Sequence, residues 1–362
     1  MKLERTKNAT KSMIFGTISR IYQILVPFII RTLMINFLGV GYLGLSSLFS
    51  SILQMLNLAE LGVGAAMVYS MYKPIAEDDT ETLCALLNLY KLYYRIIGSI
   101  IAVVGIVLLP VIPLLISGEV PEDINIFILY LLNLSVTVFS YWLFAYKNSL
   151  LTAHQRNDIS SKVKLLTDTI QYIGQVIALC VVRNYYVFLI FAIASQILNN
   201  IFVSVVVDKK YPLIRAKGKL DKEKIKSINR RIKDLFYNKI GSVIVNSADT
   251  IVISAFLGLT VLAIYQNYFF VLNSVKQFIA IILTACVAGI GNSLITETKE
   301  KNYTDFKTFT FLFNWITSFC TCCLLCLYQP FMKIWMGSEY MLEFSAVVCF
   351  CLYFYIYSNA KN

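Results

Sequence analysis

Two arginines stand inside the first long apolar run of the chain, KSMIFGTISRIYQILVPFIIRTLMINFLG, at Arg20 and Arg31. On a helix they lie on one face, about three turns or about 16 Å apart. Gln23 and Pro27 fall on or beside that face, and Pro27 opens the backbone ladder between the two cations. A guanidinium at bilayer depth costs at least about 2.5–3.5 kcal/mol on insertion scales. A helix that carries two either snorkels them to its interfaces or holds them as fixed cations in a hydrated cavity. Arginine forks grip phosphate oxygens in pairs, so the second reading points to an anionic, phosphate-bearing headgroup.

Other apolar segments carry polar stripes at the spacing of one helix face. The sets are Gln54, Asn57 and Glu60; Asp168, Gln171, Tyr172 and Gln175; Ser242, Asn246, Asp249 and Thr250; and Asn273, Lys276 and Gln277. Polar side chains in lipid face a bundle interior or water, so together they predict an aqueous lumen. Arg20, Arg31 and Lys276 supply its cations, and Glu60, Asp168 and Asp249 its acids. A buried carboxylate such as Asp249 is suited to take up a proton and couple movement to an ion gradient. Simpler roles stand beside these. Asp168 can be a solvated helix end, Asp249 an ion-pair partner of Lys276, and Glu60 a partner of the first span. Gly62 and Gly64 can serve close helix packing alone.

The elements that must position these residues are membrane helices. Apolar residues make up 58% of the 362, charged residues only 15%, and mean hydropathy is +0.68. Soluble domains hold roughly 45–50% and 25%. Ten segments are long enough to span a bilayer as helices: 12–37, 43–71, 94–116, 125–148, 161–182, 185–207, 236–257, 262–294, 308–330 and 343–358. Runs of this length exclude barrel strands. The expected fold is therefore an all-α polytopic bundle. With the N-terminus inside, the outer loops hold only Arg183 and Lys333, and the remaining loop cations fall inside. Both termini are then expected in the cytosol. The net charge of +11 reflects this topology and implies no nucleic-acid partner.

A basic cytosolic linker at 208–235 divides the chain into an N-terminal lobe, 1–207, with six spans, and a C-terminal lobe, 236–362, with four. Its cations are suited to touch anionic membrane lipids. The lobes share a weak repeat: FLGVGYLGLSSLFSSIL at Phe37–Leu53 aligns without gaps on FLGLTVLAIYQNYFFVL at Phe256–Leu272. Both stretches lead from the first span of their lobe into the second. A repeat of this hand is a known transporter layout, and it leaves the second lobe two spans short.

Enzyme chemistry finds no support. There is no G-x-x-x-x-G-K-[ST] loop, no nucleophile elbow and no metal-ligand set, so no cofactor is expected. The CTCCLLC cluster at Cys320–Cys326 lacks paired C-x-x-C spacing, and His154 is the sole histidine. Eight of the nine cysteines lie in apolar runs and read as small packing residues.

The stretch RTLMINFLGVGYLGLSSLFSSILQMLNLAELGVGAAMVYSMYKPIAEDDTE (Arg31–Glu81) resembles the start of the polysaccharide transporter family. These are Wzx-like flippases for O-antigen and capsule repeat units, in one superfamily with multidrug and toxin extrusion antiporters. The carrying features are an Arg before L-G-x-x-x-L-G-L, then L-x-L-A-E-L-G-x-G, then Y-K-P-I-A followed by acids. LTAHQRND (Leu151–Asp158) adds to the likeness, which is strongest over residues 1–160. The resemblance implies a two-lobed helix bundle with a central cavity. It would flip an undecaprenyl-diphosphate-linked oligosaccharide across a bacterial inner membrane, beside a polymerase and glycosyltransferases. Arg31 occupies the motif arginine, and the family likeness gives it the diphosphate. Arg20 and Lys276 rest on the stripe argument alone. A cation-coupled drug antiporter of the same fold and a non-transporting envelope scaffold are the alternatives. The arginine pair argues against the first of these, and the short second lobe favours the second.

Overall fold

The computed structural model describes residues 5–359 apart from 61, 119 and 122. The side chains of residues 5–12, 59, 242, 245, 246, 284–292 and 294–296 lie outside the description. The stripe residues Ser242 and Asn246, the loop cations Lys2, Arg5, Lys7, Lys11 and Lys361, and Cys286 therefore fall outside the described side chains. Among the described residues the regular structure is all helical, with no strand.

The helices are α1 (Arg5–Phe37), α2 (Val40–Leu56), α3 (Val63–Ala76), α4 (Thr80–Val107), α5 (Ile126–Trp142), α6 (Asn148–Ala153), α7 (Asn157–Ile177), α8 (Tyr185–Lys210), α9 (Lys222–Thr296), α10 (Lys299–Met336) and α11 (Phe344–Asn359). Six helical stretches are long and apolar enough to cross a membrane, and a seventh forms if α5 and the Ala145–Ala153 stretch, bent by 49°, count as one span. The chain is a multi-pass membrane protein.

The count differs from ten at particular places. The segment expected as one span at 43–71 is two helices. A single 3-10 turn, Asn57–Glu60, and Gly62 at φ 88° separate them. α2 and α11, apolar helices of 17 and 16 residues, are shorter than the six spanning stretches. At about 1.5 Å per residue they fall a few ångströms below a 30 Å hydrocarbon core. The two spans expected on either side of 258–261 run together in α9, interrupted at Gly258 alone. The helix also starts earlier than expected, at Lys222, inside the basic segment.

The aligned glycines of the internal repeat share one backbone conformation. Gly39 has φ 108° and ψ 166°, and Gly258 has φ 86° and ψ 175°. This region is open essentially to glycine alone. Each glycine ends one helical run and starts the next, so the repeat in sequence is a repeat in chain geometry.

The chain forms two compact units, Met1–Leu262 and Ala263–Asn362. The basic segment packs within the first. The Asn88 amide donates to the Gly218 carbonyl at 2.9 Å, and the Tyr93 hydroxyl to Asn229 Oδ1 at 2.6 Å. In this unit α1 lies on α7, α7 on α8, and α4 on α5. Leu45, Leu48, Phe49, Ala66, Met67 and Met71 form its fully enclosed centre. α2 meets the α9 segment so closely that a Cβ on Gly44 would stand 2.3 Å from the Leu259 carbonyl oxygen.

The second unit packs α10 on α11 around aromatic rings. The Tyr328 hydroxyl donates to the Tyr268 carbonyl at 2.7 Å, and the Tyr268 hydroxyl to Gln329 at 2.9 Å. Large apolar side chains such as Leu114, Val181, Phe256, Phe311 and Ile334 are left exposed, as a lipid-facing surface requires.

Candidate functional site

The polar face of α1 meets the polar face of α7. The Gln23 amide donates to Asp168 Oδ2 at 3.2 Å, and Tyr22 shares a 2.9 Å hydrogen bond with Thr169. The Tyr22 and Tyr172 rings stand 5.9 Å apart. Asp168 is buried, and Lys164, one turn earlier, pairs with it at 3.3 Å. Two stripes read separately in the sequence thus form one seam, and Asp168 belongs to it as a paired carboxylate rather than a solvated helix end. On the same α1, Arg20 is exposed and Arg31 is half-buried.

Glu60 sits in the 3-10 turn that breaks the expected second span. Its partners are tyrosines, not the first span. Tyr94 donates to Oε1 at 2.9 Å, and Tyr141 donates to Oε2 at 3.2 Å and to Asn57 Oδ1 at 3.1 Å. Behind them the Tyr90 hydroxyl donates to that of Tyr94 at 2.7 Å. Phenols on α4 and α5 therefore clasp a carboxylate at a helix break. An ionised carboxylate accepts only, so hydroxyl donors satisfy it without a counter-cation. The sequence reading missed these tyrosines. The cue was the i, i+4 pair Tyr90 and Tyr94 on one helix face.

The α2 stripe also reaches α9: the Ser247 hydroxyl donates to Gln54 Oε1 at 3.4 Å. Asp249, two residues further on, is exposed. In the second unit the Lys276 ammonium lies over three rings, 3.8 Å from the centre of Tyr357, 5.2 Å from Tyr353 and 6.0 Å from Phe269.

The remaining motif stretches are shaped turns. After Y-K-P-I-A the chain turns at Asp78, φ 54°, and Asp79 caps α4 by accepting from the Thr82 amide at 2.9 Å. In LTAHQRND, His154 Nδ1 lies 2.8 Å from the Leu150 carbonyl and its ring lies against Tyr211 at 4.4 Å. Arg156 grips Asp158 with two nitrogens, at 2.8 and 3.1 Å. Among the described residues no group of three or more His, Cys, Asp or Glu is placed to hold a metal ion.

Two solved structures share the fold. A crystal structure of MATE in the bent conformation superposes with TM-score 0.58 at 14% identity, covering 98% of this chain and 79% of that one. A crystal structure of MATE in complex with MaL6 gives 0.56 at 14%, covering 97% and 80%. Among curated proteins no sequence matches significantly. The sequence profile of a family described as "Polysaccharide biosynthesis protein" matches residues 9–288. That match takes in the α1 stripe, both glycine breaks and the tyrosine-clasped Glu60, and the chain, a multi-pass membrane protein with a MATE-like fold, belongs to the polysaccharide biosynthesis protein family.

Proposed function

We propose that this membrane protein is a transporter, a flippase that carries an undecaprenyl-diphosphate-linked oligosaccharide repeat unit across the bacterial inner membrane. The product would feed surface polysaccharide such as O-antigen or capsule. The chain works by alternating access, with both termini in the cytosol. The observation that carries the reading is the polar α1 helix: an exposed Arg20 and a half-buried Arg31 three turns apart, on a helix seamed to α7 through Gln23 and Asp168. Membership in a polysaccharide biosynthesis family supports a lipid-linked sugar as the substrate class. In this reading Arg31 meets the diphosphate, and Arg20 and Lys276 add positive charge along the path. Asp249, Asp168 and Glu60 are the acids beside it, with Asp249 the coupling group. The polymerase and glycosyltransferases of the same pathway are its working partners.

The test is sidedness. The gene is deleted in its host and restored as wild type or as Arg20→Gln/Arg31→Gln, and inner- and outer-leaflet undecaprenyl-diphosphate oligosaccharide is measured. Trapping on the inner leaflet in the deletion and in the double variant, at normal protein level, is the expected result. A double variant that flips like wild type overturns the role of the arginines. A wild-type chain that moves no lipid favours the scaffold.

A further inference from the structure

The first unit holds a second basic feature, away from α1. A cavity of about 360 Å³ lies where α4, the Ala145–Lys147 turn, the end of α8 and the loop after it converge. Lys91, Lys147 and Arg215 line it with Asp208, Tyr146 and Tyr211. Three cations against one carboxylate leave its wall positive.

Lys147 and the backbone of the loop are held in place. The Lys147 ammonium is fixed by Ser204 at 2.8 Å and by both Asp208 oxygens at 2.6 and 2.7 Å. The loop that carries Arg215 is pinned to α4: the Arg215 amide meets Cys84 Sγ at 3.3 Å, and the Asn88 amide holds the Gly218 carbonyl. Tyr211 is buried against His154, and its hydroxyl has no hydrogen-bond partner among the described residues. Lys91 and Arg215 have no ion pair among the described residues. A basic loop that only set topology would be solvated and would need neither the pins nor the cavity.

We infer that this cavity is a binding site for a phosphate-bearing anion, separate from the α1 arginines. The Arg215 fork and the Lys91 ammonium take the phosphate oxygens. Lys147, already neutralised by Asp208, orients the wall. The volume suits a headgroup or a small phosphorylated molecule. The two sources are an anionic lipid headgroup and a soluble phosphate compound. That the site opens to the cytosolic side rests on the orientation proposed above; the binding itself does not.

The experiment uses the full chain purified into phosphatidylcholine nanodiscs, so flipping is not measured and the two readings fail separately. Inorganic pyrophosphate is titrated by calorimetry, and retention of phosphatidylglycerol is followed by native mass spectrometry. Lys91→Gln/Arg215→Gln is expected to weaken binding about tenfold or more, since both charge-assisted contacts go. Lys222→Gln/Lys226→Gln removes the same charge elsewhere and should change it less than about twofold. Ala216→Trp, which fills the cavity and keeps every charge, should also block binding, and it decides the matter if the double variant fails to fold. Pyrophosphate binding identifies a soluble source, and selective phosphatidylglycerol retention without it identifies a headgroup. Binding of neither probe, or equal losses in the pocket and control variants, overturns the inference.

Discussion

Glu60 in the first unit and Lys276 in the second are both charged residues inside apolar sequence, and both are surrounded by aromatic side chains. The physics is opposite. The carboxylate takes hydroxyl hydrogens from the edges of Tyr94 and Tyr141, contacts that exist in one geometry only. The ammonium sits over the faces of Tyr357, Tyr353 and Phe269, where the attraction is broad and tolerant of small shifts. An anion in an aromatic setting is thus held rigidly, and a cation loosely. The difference predicts which of the two contributes more to stability.

The largest effect should come from the rigid site. Glu60→Ala removes the charged acceptor of Tyr94 and leaves Tyr141 with Asn57 alone, at a cost of about 2–4 kcal/mol. Glu60→Gln keeps an acceptor and should cost roughly half as much. Denaturant unfolding in detergent measures both. A Tyr94→Phe/Glu60→Gln double-mutant cycle should show coupling of about 1 kcal/mol or more. Additive losses would mean the clasp is incidental.

The aligned glycines give the next largest contrast. Gly39→Ala and Gly258→Ala each force alanine into a conformation reserved for glycine, at roughly 1–3 kcal/mol. At Gly39 the new Cβ meets nothing within 4 Å, whereas at Gly258 it lies 2.8 Å from the Ser117 carbonyl oxygen. Gly258→Ala should therefore unfold at lower denaturant than Gly39→Ala. The reverse order would show that the Ser117 contact does not set the difference between the two breaks.

How much of this was readable from sequence depends on the kind of signal. Length and hydropathy located the apolar segments, and stripe spacing put Gln23 and Asp168 each on a polar helix face, because a 3.6-residue period survives folding, but which faces meet is settled by tertiary packing. The break at Gly62 was hidden, since a hydropathy window averages over one residue of positive φ. The early start of α9 was hidden for another reason. KEKIKSINRRIKD is a good helix former but too polar to register as a span. The tyrosines around Glu60 come from helices 30 to 80 residues away, and tyrosine counts as apolar until a partner for its hydroxyl is known. The rings around Lys276 lie on α11 and one on its own helix, and no local pattern marks them.

The smallest effect should be at the tolerant site, and its sign separates two roles. Tyr357→Leu removes the ring nearest Lys276 but keeps apolar bulk. A cation–π contact contributes about 0.5–2 kcal/mol, and two further rings remain over the ammonium. The stability loss should therefore stay below about 1 kcal/mol, well under that of Glu60→Ala. If Lys276 is only anchored by its rings, Tyr357→Leu changes stability slightly and transport not at all. If Lys276 leaves its rings to meet the anionic headgroup, weakening the cage frees the ammonium. Leaflet sidedness of the lipid-linked oligosaccharide should then shift more than the stability loss accounts for, and Lys276→Met should abolish the shift. Equal transport in wild type, Tyr357→Leu and Lys276→Met would remove Lys276 from the path and leave the α1 arginines to handle the charge.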